Sequence, residues 1–179
     1  MGKPELIGIV LCGGTSKRFG KDKALAPFNS RSMVDLAIDQ LRPHCERVVL
    51  LAGRQPHRFW SRLEPSIEVS SDPGEGPAEA LRYWFCDYKN RALVIAVDMP
   101  KLSASDLGRY LDCAPQGCSI LGDTKATLPC LIDQTILKTK GSSLRACLKE
   151  LNAVRISPQK AQIDEQHLIN VNRPILQQE

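Results

Sequence analysis

The amino-acid sequence predicts one α/β domain, in which a mostly parallel sheet lies between two layers of helices. Short apolar runs typical of buried strands alternate, along the first half of the chain, with segments whose apolar residues recur at helical spacing. The chain has 179 residues, 42% of them hydrophobic and 25% charged, which fits a single domain with one substantial core. We therefore expect a three-layer domain over residues 1–179.

The strand nearest the amino end is the apolar run Leu6–Leu11, which is followed closely by Gly13 and Gly14. A continuous apolar run of this length is typical of a strand buried on both faces of a parallel sheet. The alternation then continues through a helix over 33–41 that Pro43 stops, a strand over 47–52, a helix over 55–63, a strand over 67–69, a helix over 77–88 and a strand over 92–97.

The second half of the chain carries weaker signals. Ser103 is the expected N-cap of a helix that runs to about residue 111. Two short apolar segments, 119–121 and 127–132, are joined by a polar turn and predict a small antiparallel part of the sheet. A helix over 144–151 and a short strand over 153–156 complete the predicted elements.

The net charge of +4 is concentrated in one short segment, where Lys17, Arg18, Lys21 and Lys23 are opposed only by Asp22. A protein that binds nucleic acid spreads its basic residues over several elements, whereas a small anionic ligand requires one dense patch. The distribution therefore favours a small anionic ligand over nucleic acid. A solvated charged loop would show the same cluster, so charge alone does not decide between a site and a surface.

Cysteine usage and hydropathy indicate the compartment. The seven cysteines are odd in number, form no Cys-x-x-Cys pair and mostly have apolar neighbours, which is typical of reduced thiols rather than of disulfides or a zinc site. The apolar run near the amino terminus is only six residues long, too short for a signal peptide or a membrane span. We expect a cytoplasmic protein that does not enter a membrane.

The segment after the first strand has the composition of a phosphate-binding loop. Gly13 and Gly14 lack Cβ atoms, so backbone N–H groups can approach phosphate oxygens, and the basic side chains that follow can add charged hydrogen bonds. The Walker P-loop does not match, because five rather than four residues separate Gly14 from Gly20 and an Asp follows Lys21. The Gly-x-Gly-x-x-Gly pattern of dinucleotide-binding folds is absent as well.

Asp98 is a second candidate functional residue, because it follows the most hydrophobic strand and stands two residues before Pro100. A carboxylate that emerges from a buried strand is costly to leave unpaired, so a divalent metal or a basic partner is expected beside it. A helix cap is the alternative role. Ser103 already fits that role for the next helix.

Three features together make a family recognisable: the pattern LxGGxSxRxGxDKAL over 11–25, Asp98-x-Pro100, and the run from Asn170 to Asn172. In this combination the chain resembles the molybdenum cofactor guanylyltransferase family, within the Rossmann-like nucleotidyltransferases. The resemblance covers nearly the whole chain. It implies a three-layer Rossmann-like nucleotide-diphospho-sugar transferase fold.

The same resemblance implies specific roles. Residues that match the family's nucleotide contacts are Leu11, Cys12, Gly13, Gly14, Lys23, Asp72 and Asp98. Gly13 indicates guanine, because cytidylyl relatives typically carry Ala at that position. The implied catalytic residues are Arg18 on the phosphates, Lys23, and Asp98 as the ligand of Mg²⁺, while Asn170 and Asn172 face the metal and the acceptor phosphate.

The implied reaction transfers GMP from Mg-GTP to the phosphate of molybdopterin cofactor, giving molybdopterin guanine dinucleotide and pyrophosphate. Transient contact with proteins that deliver the cofactor or mature molybdoenzymes is implied too. Two alternatives stay open: the same chemistry on another nucleotide or phosphorylated acceptor, such as cytidylyl transfer, and a GTP-binding module without catalysis.

Three positions depart from the family pattern. The loop that usually reads Gly-Pro-Leu-Ala-Gly is GPAEA from Gly76, which puts Glu79 where small residues line the pocket. Leu51 or a neighbour stands where an Asn often contacts the nucleotide, and Arg173 replaces a Thr. We expect these departures to affect the choice of acceptor or base, and not the phosphate loop or Asp98.

Overall fold

The structure is a computed structural model that describes residues 6–13, 22–60, 63–64 and 66–171. Its strands are β1 (Leu6–Leu11), β2 (Pro27–Phe28), β3 (Arg31–Ser32), β4 (Arg47–Leu51), β5 (Glu68–Ser70), β6 (Arg91–Ala96), β7 (Ser119–Leu121), β8 (Cys130–Ile132) and β9 (Val154–Ile156). Its α-helices are α1 (Met33–Leu41), α2 (His57–Trp60), α3 (Pro77–Phe85), α4 (Ala104–Cys113) and α5 (Leu144–Glu150). Short 3₁₀ turns cover Lys23–Leu25, Gln134–Lys138 and Glu165–Leu168.

Seven strands form one sheet in the order β5-β4-β1-β6-β8-β7-β9. β5, β4, β1 and β6 are parallel, and β8 runs antiparallel to both β6 and β7. The predicted α/β fold with a small antiparallel part is therefore confirmed. The chain builds outward from β1 to β5 and then returns to place β6 on the other side of β1, so the strand order reverses between β1 and β6. In open parallel sheets this switch point is where ligands bind.

Helices cover both faces of the sheet because successive residues of a strand point to opposite faces. In β1, Val10 packs into a cluster with residues of α1 and α4, whereas Ile9 packs with residues of α3 and α5. Large aromatic side chains close each layer, Tyr110 on the first face and Trp84 on the second. Because both clusters contain residues of β1 and β6, packing on both faces fixes these strands and the points at which loops leave their carboxyl ends.

Most predicted elements are present with small shifts of their ends, and three are shorter than predicted. The helix predicted over 77–88 ends at Phe85, because the Asp87 N–H turns back to the Trp84 carbonyl and tightens the last turn. The strand predicted over 127–132 begins only at Cys130; Pro129 has no N–H to donate to a ladder, although its carbonyl accepts the Leu121 N–H at 2.9 Å. The helix predicted over 55–63 is described only as the turn His57–Trp60, and 61–62 lie outside the described residues.

The 3₁₀ turns and a small hairpin were not predicted. β2 and β3 pair across Asn29 and Ser30, which both adopt positive φ angles of 49° and 68°. This backbone suits a two-residue hairpin turn, but the usual Asn-Gly signal is missing because Ser occupies the second position. Within the described part of the chain, no helix is long and apolar enough to cross a membrane.

The amino end of α4 connects the carboxyl-terminal segment to the rest of the domain. Ser103 caps α4 as predicted, and the capping box is completed by the buried Asp106. Asp106 also binds the ring Nδ1 of His167 at 2.9 Å. Burial raises the pKa of Asp106, but the hydrogen bonds from Ser103 and His167 outweigh it and hold this pKa below its usual range. His167 therefore has a structural partner that the sequence did not reveal.

Candidate active site

The candidate site begins where β1 and β6 end side by side, with Leu11 opposite Ala96. The strand hydrogen bonding continues one residue further: the Cys12 N–H donates to the Leu51 carbonyl at 2.9 Å and the Val97 N–H donates to the Leu11 carbonyl at 3.2 Å. The loop that contains Gly13 and the segment that contains Asp98 therefore leave the same edge of the sheet at the switch point. The fold brings these two predicted features together.

Gly13 packs against a turn whose centre is Gly53. A Cβ on Gly13 would lie 3.5 Å from the Gly53 nitrogen and 3.9 Å from Oδ2 of Asp72. Asp72 is buried and accepts two backbone hydrogen bonds, from Gly53 at 2.6 Å and from Gly74 at 2.9 Å. Gly53 itself has a φ of 65°, which favours glycine. The predicted nucleotide contacts Gly13 and Asp72 are thus neighbours, and Asp72 also fixes both glycine turns.

Cys12, a predicted nucleotide contact, is bonded within the protein through its backbone, because its N–H donates to Leu51 and its carbonyl accepts from Arg58. The side chain is buried in the core beside β1. Burial raises the pKa of this thiol well above its ordinary value, and the nearby Arg58 guanidinium only partly offsets that effect. The thiol is therefore neutral and enclosed, and the role of Cys12 in nucleotide binding stays a prediction.

Lys23 and Asp98 form a direct ion pair across the switch point. Nζ of Lys23 lies 2.7 Å from Oδ2 of Asp98, and each side chain is only 16% exposed. Lys23 is held in a 3₁₀ turn that Asp22 caps by accepting the Ala24 N–H. Asp98 thus has the basic partner that is expected for a carboxylate at the end of a buried strand.

The second oxygen of Asp98 is the atom that could bind a metal ion. Oδ1 is buried and has no hydrogen-bond partner among the described residues, and such an atom is costly unless a ligand satisfies it. In the described ranges no group of three or more His, Cys, Asp or Glu side chains could hold a metal. Mg²⁺ suits this setting, because it is usually held by one or two carboxylates together with substrate phosphates and water.

Of the two residues predicted on the acceptor side, Asn170 is the one that the structure describes. The Val171 N–H donates to the Asp98 carbonyl at 2.8 Å, which places the exposed Asn170 beside the site. Asn170 lines a cleft of about 370 Å³, together with residues that include Gly122, Lys125, Thr127, Leu128 and Leu168. Gly14, Arg18 and Asn172, also predicted as site residues, lie outside the described residues.

Two of the three departures from the family pattern have a structural explanation. The Glu79 carboxylate binds the guanidinium of Arg82 one turn along α3, so its charge is neutralised within the helix. Arg82 also donates to the Gly141 carbonyl at 2.7 Å, which orients this pair toward the 139–141 segment. The side chain of Leu51 is buried in the sheet core, and the turn at Gly53 is what contacts Gly13. Arg173 lies outside the described residues.

Arg58 was not predicted from the sequence, and its guanidinium contacts both the Cys12 carbonyl and the Asp22 carboxylate. A single basic residue in a short amphipathic segment gives no signal by spacing or composition. Its partners are distant in sequence, so only the fold reveals the contact.

The strand order, Gly13 just beyond β1 and the Lys23–Asp98 pair at the switch point fit one class, the Rossmann-like nucleotidyltransferases. Comparison with known proteins agrees with this class. The chain belongs to the MobA-like NTP transferase domain family, whose sequence model matches residues 8–160. It is therefore an enzyme of the nucleotidyltransferase type.

Individual relatives give the same result. A probable molybdenum cofactor guanylyltransferase from Rhodopirellula baltica is 36% identical over 112 residues. These residues cover 58% of this chain and 53% of that protein, so the match spans about half of the relative. The molybdenum cofactor guanylyltransferase of Xanthomonas euvesicatoria is 27% identical over 93% of this chain and 89% of its own. The molybdopterin-guanine dinucleotide biosynthesis protein A of Archaeoglobus fulgidus has a similar fold, with a TM-score of 0.71 over 94% and 93% of the two chains at 20% identity.

Proposed function

We propose that this enzyme transfers GMP from Mg-GTP to the phosphate of molybdopterin cofactor, which yields molybdopterin guanine dinucleotide and pyrophosphate. The observation that carries the proposal is the Lys23–Asp98 pair at the switch point, with a buried carboxylate oxygen of Asp98 still without a partner among the described residues. The names of the relatives support guanine as the base and molybdopterin as the acceptor.

In this proposal the triphosphate lies over the end of β1. The backbone N–H groups that begin at Gly13 approach the phosphate oxygens, since Gly13 has no side chain to block them. The Lys23 ammonium donates to the phosphates, and Arg18 adds a second cation to them. Asp98 would hold Mg²⁺, which when bound neutralises phosphate charge and orients the oxygens that it contacts.

The acceptor phosphate attacks the α-phosphorus in line with the departing pyrophosphate. A phosphate nucleophile is already ionised at neutral pH, so the site needs no general base. The histidines agree with this: His44 binds the Ala104 carbonyl, His167 binds Asp106, and His57 is exposed at the start of α2. Catalysis then depends on positioning the two phosphates and on stabilising the charge that develops between them.

The cleft beside Asn170 is the proposed acceptor site. Asn170 lines this cleft, the adjoining Val171 donates its N–H to the Asp98 carbonyl, and Lys125 supplies a cation on the cleft wall for an anionic acceptor. Asn170 and Asn172 would orient the acceptor phosphate toward the α-phosphorus. Apolar side chains such as Leu128 and Leu168 line the same cleft and could cover one face of a flat heterocycle.

The decisive experiment measures pyrophosphate release with each of the four nucleoside triphosphates, with and without molybdopterin cofactor, in the presence of Mg²⁺. We expect release to require both GTP and the acceptor. A clear preference for CTP would support the cytidylyl alternative instead. Tight GTP binding without pyrophosphate release under any condition would identify a binding module and contradict the proposal.

The Gly13→Ala variant tests the choice of base. The added methyl group would make ordinary contacts with the Gly53 backbone and lie near Asp72, so the fold accommodates it. We expect unchanged thermal stability and a fall of about tenfold in the ratio of kcat/KM for GTP to that for CTP, since one methyl group in a pocket discriminates on this scale. An equal loss for both nucleotides would assign Gly13 to phosphate binding alone and contradict its role in base selection.

A further inference from the structure

Arg58 joins two separate parts of the phosphate side of the site. It lies in α2, and its side chain is only 17% exposed. One Nη group donates to the Cys12 carbonyl at 2.6 Å, and the other lies 3.1 Å from Oδ2 of Asp22. A single guanidinium therefore contacts the residue that follows β1 and the residue that precedes Lys23.

Asp22 connects Arg58 to the turn that contains Lys23. While Oδ2 of Asp22 faces Arg58, its Oδ1 accepts the Ala24 N–H and caps the turn Lys23–Leu25. The same turn directs the Lys23 ammonium to Asp98. A continuous chain of contacts thus runs from the end of β1 through Arg58 and Asp22 to the lysine that meets the carboxylate at the end of β6.

The Arg58 guanidinium makes its contacts with protein groups on several sides. Both Nη groups are occupied by protein acceptors, and Nε is enclosed without accessible surface. The guanidinium also lies over the Phe59 ring, 4.7 Å from its centroid. The contacts of this side chain are therefore those of a group that holds protein segments together.

Arginine is required for such a double contact. Its planar fork presents several N–H donors in fixed geometry, so it can bind a carbonyl and a carboxylate at once, whereas a lysine ammonium is a single point charge. Because the pair is mostly buried, losing the cation would also leave the Asp22 carboxylate without this partner. Exposed pairs of this protein, such as Arg42–Glu64, have neither the double contact nor the burial of the Arg58–Asp22 pair.

We propose that Arg58 is a positioning residue that fixes the Lys23 turn relative to β1 and thereby sets the affinity for the nucleoside triphosphate. The proposal rests on the proposed function insofar as the ligand is GTP. Without Arg58, part of the binding energy of the triphosphate is spent on placing Lys23, so affinity falls while the bound complex reacts at a similar rate.

The test compares Arg58→Met, Arg58→Lys, Asp22→Asn and the Arg58→Met/Asp22→Asn double variant, with Arg42→Met as the matched surface control. We expect Arg58→Met to raise the Kd and KM for GTP about tenfold, equal to about 1.4 kcal/mol, with kcat changed by less than about threefold. The KM for molybdopterin cofactor should not change. Arg58→Lys should recover part of the affinity, because it restores charge beside Asp22.

The double variant decides whether Arg58 acts through Asp22. In Asp22→Asn the new amide can still cap the turn with its side-chain oxygen, but it has no charge with which to pair with a guanidinium. The double variant should therefore bind GTP no more than about twofold more weakly than Arg58→Met alone. A correctly folded Arg58→Met variant with wild-type affinity for GTP would overturn the proposal. So would an equal rise in the KM of the acceptor, because it would indicate general loosening of the fold.

Hydrogen exchange on the ligand-free proteins separates this proposal from the proposed function. The amides of Ala24, Leu25 and Ala26 are bonded within the Lys23 turn, so their exchange reports on its stability. We expect faster exchange of these amides in Arg58→Met than in wild type or Arg42→Met. If wild type neither binds nor uses GTP, the proposed function fails, and unchanged exchange in Arg58→Met would independently overturn the role of Arg58.

Discussion

Replacing Asp98 with Asn is expected to lower kcat for nucleotidyl transfer by about a thousandfold while the protein stays folded. The change keeps the shape of the side chain and removes its negative charge. That charge balances Lys23 at 2.7 Å, and the buried Oδ1 is the proposed ligand of Mg²⁺. An amide oxygen is a much weaker partner for a divalent cation than a carboxylate oxygen, so the transition state loses its charge stabilisation.

The measurement is pyrophosphate release at saturating GTP and acceptor over a range of Mg²⁺ concentrations, together with the melting temperature. Asp39→Asn is the matched control, because Asp39 forms an ion pair with Arg31 in which both side chains are about half exposed. That variant should keep full activity, since exposed pairs contribute little. An Asp98→Asn enzyme that retains more than about a tenth of wild-type kcat would show that the metal is held elsewhere.

The parts of the site that the sequence predicted are those that follow directly from strands. Leu6–Leu11 and the run that ends at Ala96 are apolar enough to be recognised as buried parallel strands, and the rule for parallel sheets then places Gly13 and Asp98 at one edge. The carboxylate of Asp98 also required a cation or metal on energetic grounds alone. Its partner proved to be Lys23, a residue of the same predicted loop.

What the sequence could not predict depends on contacts between distant residues. The Asp72 carboxylate accepts N–H groups from Gly53 and Gly74, a pairing that no local pattern encodes. Arg58 joins Cys12 to Asp22 only because α2 packs beside the end of β1 in the folded chain. Local propensity carries no information on such contacts, so the residues that support the candidate site could not be predicted from the sequence.

The effect of Glu79 is another example of this limit. From the sequence, a carboxylate after Gly76, where small residues usually line the pocket, is expected to affect the choice of acceptor or base. In the structure Arg82 lies one turn away on the same helix and binds it, so the local net charge is unchanged. Pairs three residues apart on a helix are neighbours, and the pattern could therefore have been recognised with that rule alone.

Replacing Lys23 with Met is expected to lower kcat/KM for GTP about a hundredfold, which is the second large effect. The variant removes the cation that the fold directs to the switch point and leaves the Asp98 carboxylate, only 16% exposed, without it. The negatively charged triphosphate then binds beside the Asp98 carboxylate, whose charge Lys23 no longer balances. We therefore expect the KM for GTP to rise more than kcat falls, which is the reverse of the pattern expected for Asp98→Asn.

The Lys23→Met/Asp98→Asn double variant distinguishes a coupled pair from two independent contributions. Groups in direct contact are not additive, so the double variant should lose clearly less kcat/KM than the product of the two single losses. Lys149→Met on the exposed face of α5 is the control for the substitution itself and should leave both KM and kcat unchanged. Full additivity would mean that Lys23 and Asp98 act on different parts of the substrate, and their contact in the ligand-free enzyme would then have no bearing on turnover.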